Sequence, residues 1–482
     1  MVAPGMARAA TSDSLPFRPE QVQTLAESLS RRPYVGATPA SRGNLDYDAY
    51  RRIAFRRERA LWADAGLAFR GEYFPCAYIY PEPVSLYEVS DGQATPIAFD
   101  VQAFDAPADL APVLAAVSGY SGFRLQNPIN DPHKFDEIAV FQGASYFRSL
   151  GRDQGYGLSA RGVAVGCGDH NEEFPGFRAF WIERPAANAG FAVVHALLDG
   201  PSLTGAYRFV ITPGDATVFD VEATLYPRRT IANGGLGAQS SMFLFGAADR
   251  AGVDDPREAV HDSDGLEILT GEGRRIWRPL TNPRQLQIST FEDTAPRGFG
   301  LVQRARDFAA YADNQDHYER RPSLWVEPLG DWGRGAVHLV EIPTALDTTD
   351  NIAAFWRPAE PWVPGKPVQI RYRLHWGWAP PVETGLARAA RTATGSGGRL
   401  FTIDFAGLPS QASGLAGLAE TSAGQISSVA LSPLPADGVS GAGAVRASFR
   451  FTPPPTGAAE LQLRLSGDVG DLSETWRFRW TA

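Results

Sequence analysis

At 482 residues the chain exceeds one ordinary compact domain, so two or more domains are expected. A formal net charge of −9, with no run rich in Lys and Arg, excludes general affinity for nucleic acid. No apolar stretch reaches the roughly 18 residues a membrane-spanning helix needs, so stable membrane insertion is not expected.

In chain order, the first ten residues end in Met6-Ala7-Arg8-Ala9-Ala10, which resembles the small-residue tail of a signal peptide without its apolar segment. Residues 1–14 are therefore read as a signal-peptide remnant, and export is the expectation. Pro19 suits a first helical turn, and Val22, Leu25, Ala26 and Leu29 follow at helical spacing. A second helix is predicted over Tyr47 to Phe55, ending before Arg56-Arg57.

From about residue 66 the pattern changes to period two. Phe219, Val221, Ala223 and Leu225 alternate with Asp220, Glu222, Thr224 and Tyr226. Pro213-Gly214-Asp215 reads as the turn joining them to a strand over Tyr207 to Thr212. Val368, Ile370, Tyr372, Leu374 and Trp376 alternate in the same way. One buried and one wet face favours antiparallel sheets, and no βαβ rhythm is present. The predicted class is all-β, with a large antiparallel β-sandwich over residues 15–378.

Residues 379–398 carry Pro380-Pro381 and Gly395-Ser396-Gly397-Gly398 and read as a linker. Behind them, residues 399–482 show short strands over Leu400 to Phe405, Val445 to Phe451, Leu461 to Leu465 and Trp476 to Trp480. That size and spacing suit an immunoglobulin-like sandwich. Cys76 and Cys167 could form one disulfide, but a chain this long needs no staple, and two buried thiols are favoured.

Patterns for other chemistries are missing. No Gly-x-Ser-x-Gly elbow or Walker loop occurs, and Gly234-Gly235-Leu236-Gly237 lacks the context of a dinucleotide site and reads as a flexible loop. His261-Asp262-Ser263-Asp264 could be a metal loop, but one histidine with two aspartates is a weak metal signature. No metal and no organic cofactor are expected.

Several stretches occur in an order that resembles the periplasmic glucan biosynthesis family, which includes OpgG and OpgD. They are Gly122-Phe123-Arg124, the run from Phe141 to Arg148, and the run from Glu173 to Pro185. Val260 to Leu266, Trp277 to Leu280, Arg321 to Val326, Val340 to Thr344 and Asp350 to Trp356 complete the set. The resemblance implies a large sandwich of the galactose-mutarotase type crossed by a groove, with an immunoglobulin-like domain behind it. It implies a periplasmic protein, exported with its signal peptide removed, whose partner is a β-1,2-linked glucan.

Glycoside cleavage needs an acid to protonate the leaving oxygen and a carboxylate to activate water. The positions that match the family's pair are Asp350 as general acid and Asp262 as general base. In the family the acid works through a substrate hydroxyl and the base through ordered water. Read without the family, Asp350 at a strand start is more often a turn or cap residue than a catalytic one. Asp264 and Asp347 are neighbouring acids that could substitute for either or tune them. Tyr318, Arg321 and Trp325 resemble a substrate-lining segment, although Trp325 could equally be a core residue of a strand. Inverting endo-hydrolysis of β-1,2-glucan is the leading expectation. The alternatives are an anomer-inverting transglycosylase that makes cyclic glucan and a glucan-binding or assembly protein without turnover. The sequence is compatible with a monomer or a homodimer.

Overall fold

The structure is a computed structural model that describes residues 14–40, 45–383, 385–409, 413–435, 443–468 and 470–482. Of residues 1–14, read as a leader remnant, positions 1–13 lie outside the described residues. Strands dominate, as the alternation predicts, and the packing divides into two compact units. The first comprises the chain up to Asp153 with Ala160–Gly237 and Glu360–Leu374, and the second comprises Gln154–Ser159, Ala238–Ala359 and His375–Ala482.

In the first unit the predicted hairpin is present: Leu203–Thr212 pairs antiparallel with Thr217–Pro227, closing at Thr212 opposite Val218. Ala192–Asp199, Gly176–Glu183 and Ser85–Ser90 extend that sheet. A second sheet contains Arg70–Pro75, Tyr120–Asp131, Lys134–Gln142 and Tyr146–Ser149. Phenylalanines on the facing sides hold the layers together. Phe123 meets Phe180 at 5.0 Å between ring centroids, Phe141 meets Phe209 at 5.3 Å, and Phe147 meets Phe219 at 5.8 Å. Such offset and edge-on contacts add to the burial of large apolar area. The first helix spans Glu20–Ser30 and buries Val22 and Ala26, with Leu29 partly buried, while Leu25 of the same spacing is exposed.

Two local expectations change. The second helix covers only Tyr47–Arg51 and buries none of its residues. Without an apolar stripe it has no reason to continue, and Phe55 instead joins the strand Ala54–Phe55, its ring edge-on to Tyr73 and Phe104. The glycine run is not a loop: Gly234–Ser241 is a strand buried along its length. Gly234 pairs with Val165 and Gly235 with Ala164, while a Cβ on Gly234 would collide with the Trp362 ring. Glycine is there because an indole occupies the space a side chain would need.

The second unit is also built from antiparallel sheets. In one, Ser323–Pro328 pairs with Gly298–Val302, which pairs with Gly265–Leu269, which pairs with Arg275–Pro279. Thr475–Thr481 then adds in parallel, with Trp476 opposite Trp277, and Ala458–Gly467 and Ala416–Thr421 follow. The facing layer, Arg388–Gly395, Leu400–Ala406 and Val445–Thr452, closes a small sandwich around Phe401, Phe449, Trp476 and Phe478. Arg388–Gly395 is thus a paired strand inside the span expected as a linker. Gln287–Thr294, Arg334–Glu341 and Ile352–Pro358 pair antiparallel in that order. Both cysteines are buried and carry free thiols. Among the described residues no helix is long and apolar enough to cross a membrane.

Two measurements check this packing. Gly234→Ala forces a methyl group against the Trp362 ring, and overpacking of this kind should destabilise the chain by about 1–3 kcal/mol, read from its urea midpoint. His338 lies opposite Phe355, stacked on it at 5.4 Å, and burial with the nearby Arg357 charge holds its imidazole at about 4 instead of 6.5. The unfolded chain therefore binds a proton near pH 6.5 that the folded chain refuses until about pH 4. Stability should fall as pH drops through that window, by up to about 3 kcal/mol from this residue, and His338→Gln should flatten that part of the slope.

Candidate active site

The turn His261–Asp264 is fixed at both ends by backbone pairing. Val260–His261 pairs with Phe243–Phe245, and His261 stands opposite Phe243. Asp262 then donates its backbone N–H to the carbonyl of Met242 at 2.9 Å. Ser263 and Ser241 hydroxyls meet at 2.8 Å, and the Asp264 N–H reaches the Val302 carbonyl at 2.8 Å. His261 is buried, stacked on Phe243 at 5.2 Å, and desolvation holds its imidazole below the usual histidine range against the pull of Asp264.

The loop bearing Asp350 anchors to Phe243, the neighbour of Met242, from another part of the chain. Asp350 is exposed and precedes the strand Ile352–Pro358 by two positions. Its neighbour Asn351 is 1% exposed, and its amide bonds to backbone at both ends. Asn351 Oδ1 accepts from Phe243 N at 2.8 Å, and Nδ2 donates to the Phe243 carbonyl at 3.0 Å and the Ile342 carbonyl at 2.9 Å. Asn282 holds the preceding loop, exchanging hydrogen bonds with Thr344 at 3.0 and 2.8 Å. Asp262 is therefore tied to Met242 and the residue after Asp350 to Phe243.

A cationic side chain completes the surroundings of Asp262. Arg321 Nε lies 3.5 Å from Asp262 Oδ1, within ion-pair distance. The same guanidinium lies 3.7 Å from Asp316 Oδ1, donates to the Tyr156 carbonyl, and sits 5.2 Å from the Tyr318 ring centroid. Tyr318 is buried. Desolvation raises its hydroxyl above the usual range, and the charges of Asp316, Asp262 and Asp347 push the same way. Nearby, Arg257 pairs with Asp255 at 2.8 Å, Asp347 at 3.2 Å and Asp313 at 3.3 Å.

A buried carboxylate beside a guanidinium, and an exposed carboxylate on a clamped loop, can divide base and acid roles between them. The profile described as "Periplasmic glucan biosynthesis protein, MdoG" matches residues 17–480. The chain belongs to this family. It is 47% identical over 474 residues to "Glucans biosynthesis protein G" of Rhodopseudomonas palustris (strain BisA53), covering 96% of this chain and 93% of that one. It is 44% identical over 481 residues to the protein of the same name from Vibrio cholerae serotype O1, covering 96% and 87%.

Within this family member the sequence-predicted residues fall into three groups. Asp262, Tyr318 and Arg321 come together, and Asp350 joins the same backbone segment through Asn351. Asp264 and Asp347 are engaged elsewhere: Asp264 accepts from the backbone N–H groups of Arg304 and Ala305, and Asp347 pairs with Arg257. Trp325 needs correction as a lining residue. It is 1% exposed in the strand Ser323–Pro328, and its indole fills the space over Gly298, so no face is free for a sugar. Tyr318 likewise packs its ring against Tyr311 at 6.0 Å and offers its hydroxyl more than a stacking face. Asn351, Asn282, Arg257 and Asp316 escape a reading of the sequence, because a lone polar residue carries no spacing signal. Among the described residues no group of three or more His, Cys, Asp or Glu is arranged to hold a metal ion.

Asn351→Ala strips partners from two buried backbone groups of Phe243 and a part-buried carbonyl of Ile342, so unfolding free energy should fall by on the order of 2–3 kcal/mol. A loss below about 1 kcal/mol in urea denaturation would mean that water replaces the amide and that the clamp is weak.

Proposed function

We propose that this chain is a periplasmic enzyme of glucan biosynthesis that cleaves β-1,2-linked glucan within the chain, with inversion at the anomeric carbon. One observation carries the reading: Asp262 and the Asp350 loop, distant in sequence, are bonded to the consecutive residues Met242 and Phe243. On this reading Asp350 supplies the proton that the departing sugar oxygen needs, and its exposure suits a group that must meet substrate. Asp262 takes the proton of the attacking water. Its burial suits a proton path through an ordered water more than direct contact with substrate. Arg321 provides donors for substrate hydroxyls, and Tyr318, whose ring lies 5.2 Å from that guanidinium, a hydroxyl close to Asp262.

The division of labour proposed is a glucan-active region over residues 15–378 and an immunoglobulin-like region over 399–482. The relatives' name, glucans biosynthesis protein G, supports the glucan role, and the family's description supports a role in the periplasm.

The test is incubation with linear β-1,2-glucan, with products resolved by mass and the new anomeric centre followed by NMR. Short linear products that first appear as the α anomer are expected. Asp350→Asn and Asp262→Asn should each lower turnover by about 10²–10⁴-fold while the protein stays folded. Products lighter by one water with no new reducing end would replace hydrolysis by cyclising transfer. Wild-type turnover retained in Asp350→Asn would remove the acid assignment.

A further inference from the structure

The turn that carries Asp262 is held from behind by Gln303, Arg304 and Ala305. Gln303 Nε2 donates to the His261 carbonyl at 3.0 Å, and the N–H groups of Arg304 and Ala305 both donate to Asp264 Oδ2. The Arg304 side chain fixes that segment in turn. Its guanidinium lies 3.5 Å from the Trp277 ring centroid and ends between two buried carboxylates. One is Glu267, 2.7 Å from Arg304 Nη2, and the other is Glu474, 2.5 Å from Nη1. Glu474 is fully buried, also accepts from the Ala389 N–H at 2.8 Å, and lies 3.4 Å from Arg275 Nε. It immediately precedes the strand Thr475–Thr481, in the C-terminal sandwich. A buried carboxylate is tolerated only with its partners in place, so the position of Arg304 follows from that of Glu474.

We propose that Glu474 is a positioning residue for the candidate base. Through Arg304 and the amides that hold Asp264, it sets the orientation of the turn bearing Asp262. Glu474, immediately before a C-terminal strand, then ties that part of the chain to the candidate catalytic turn. The proposal rests on the reading of Asp262 as general base.

The experiment compares full-length wild type with Glu474→Gln, which keeps the shape and removes the charge, and with Phe401→Leu, which trims the C-terminal core elsewhere. Each is assayed on linear β-1,2-glucan and by hydrogen exchange of the peptide covering residues 260–267. Glu474→Gln should lower kcat by about tenfold or more with KM within about twofold, and should speed exchange in that peptide. Phe401→Leu, at a temperature where it is folded, should leave kcat and that exchange at wild-type values. Wild-type kcat and exchange in Glu474→Gln would overturn the proposal, as would the same losses in Phe401→Leu. If Glu474→Gln gives no folded protein, Arg304→Lys is read in its place with the same expectations. If the wild type leaves β-1,2-glucan intact, the assignment of the base fails, and exchange alone decides the coupling: faster in Glu474→Gln than in Phe401→Leu supports it, and no difference overturns it.

Discussion

A buried amide whose partners are backbone groups must sit wherever that backbone is, and Asn351 is such a group. Its carbonyl and amino ends match the Phe243 N–H and C=O, so the strand Ile352–Pro358 can enter its sheet in one register alone. The Asp350 loop and the Asp262 turn are then neighbours by necessity. Leaving such groups unbonded is costly enough that the arrangement tolerates little variation.

The charged groups behind the site follow the same logic at higher stakes. Glu267, Arg275, Arg304 and Glu474 have buried side chains, and each is within ion-pair distance of an opposite charge. Moving such charges out of water is expensive, and attraction offsets the cost only when every partner is present. A network of this kind contributes less to net stability than to the choice of a single arrangement. Here that arrangement joins the strands Gly265–Leu269 and Arg275–Pro279 to the C-terminal sandwich.

What is legible in the sequence is what depends on local pattern. The alternation from Phe219 to Tyr226, the turn at Pro213-Gly214-Asp215 and the helix after Pro19 all follow from spacing and turn chemistry, and the structure has them. Gly234 reads as loop because the indole that demands glycine, Trp362, lies far along the chain. Trp325 is ambiguous for a related reason: alternation marks a side chain as facing one side, not whether that side meets solvent. Asp262 and Asp350 stand out through ordered motifs, whereas Asn351 acquires its role only when Phe243 and Ile342 are beside it.

The two buried cysteines bear on how the chain matures. Burial pushes both thiols up to about 12, so at neutral pH the reactive thiolate is scarce in the folded protein. Neither sulfur is cross-linked, and the sandwich cores are closed by aromatic packing. Folding therefore needs no thiol oxidant, and an oxidising environment has little to act on once the chain is folded. The vulnerable interval is before folding, when both sulfurs are accessible and could be cross-linked wrongly.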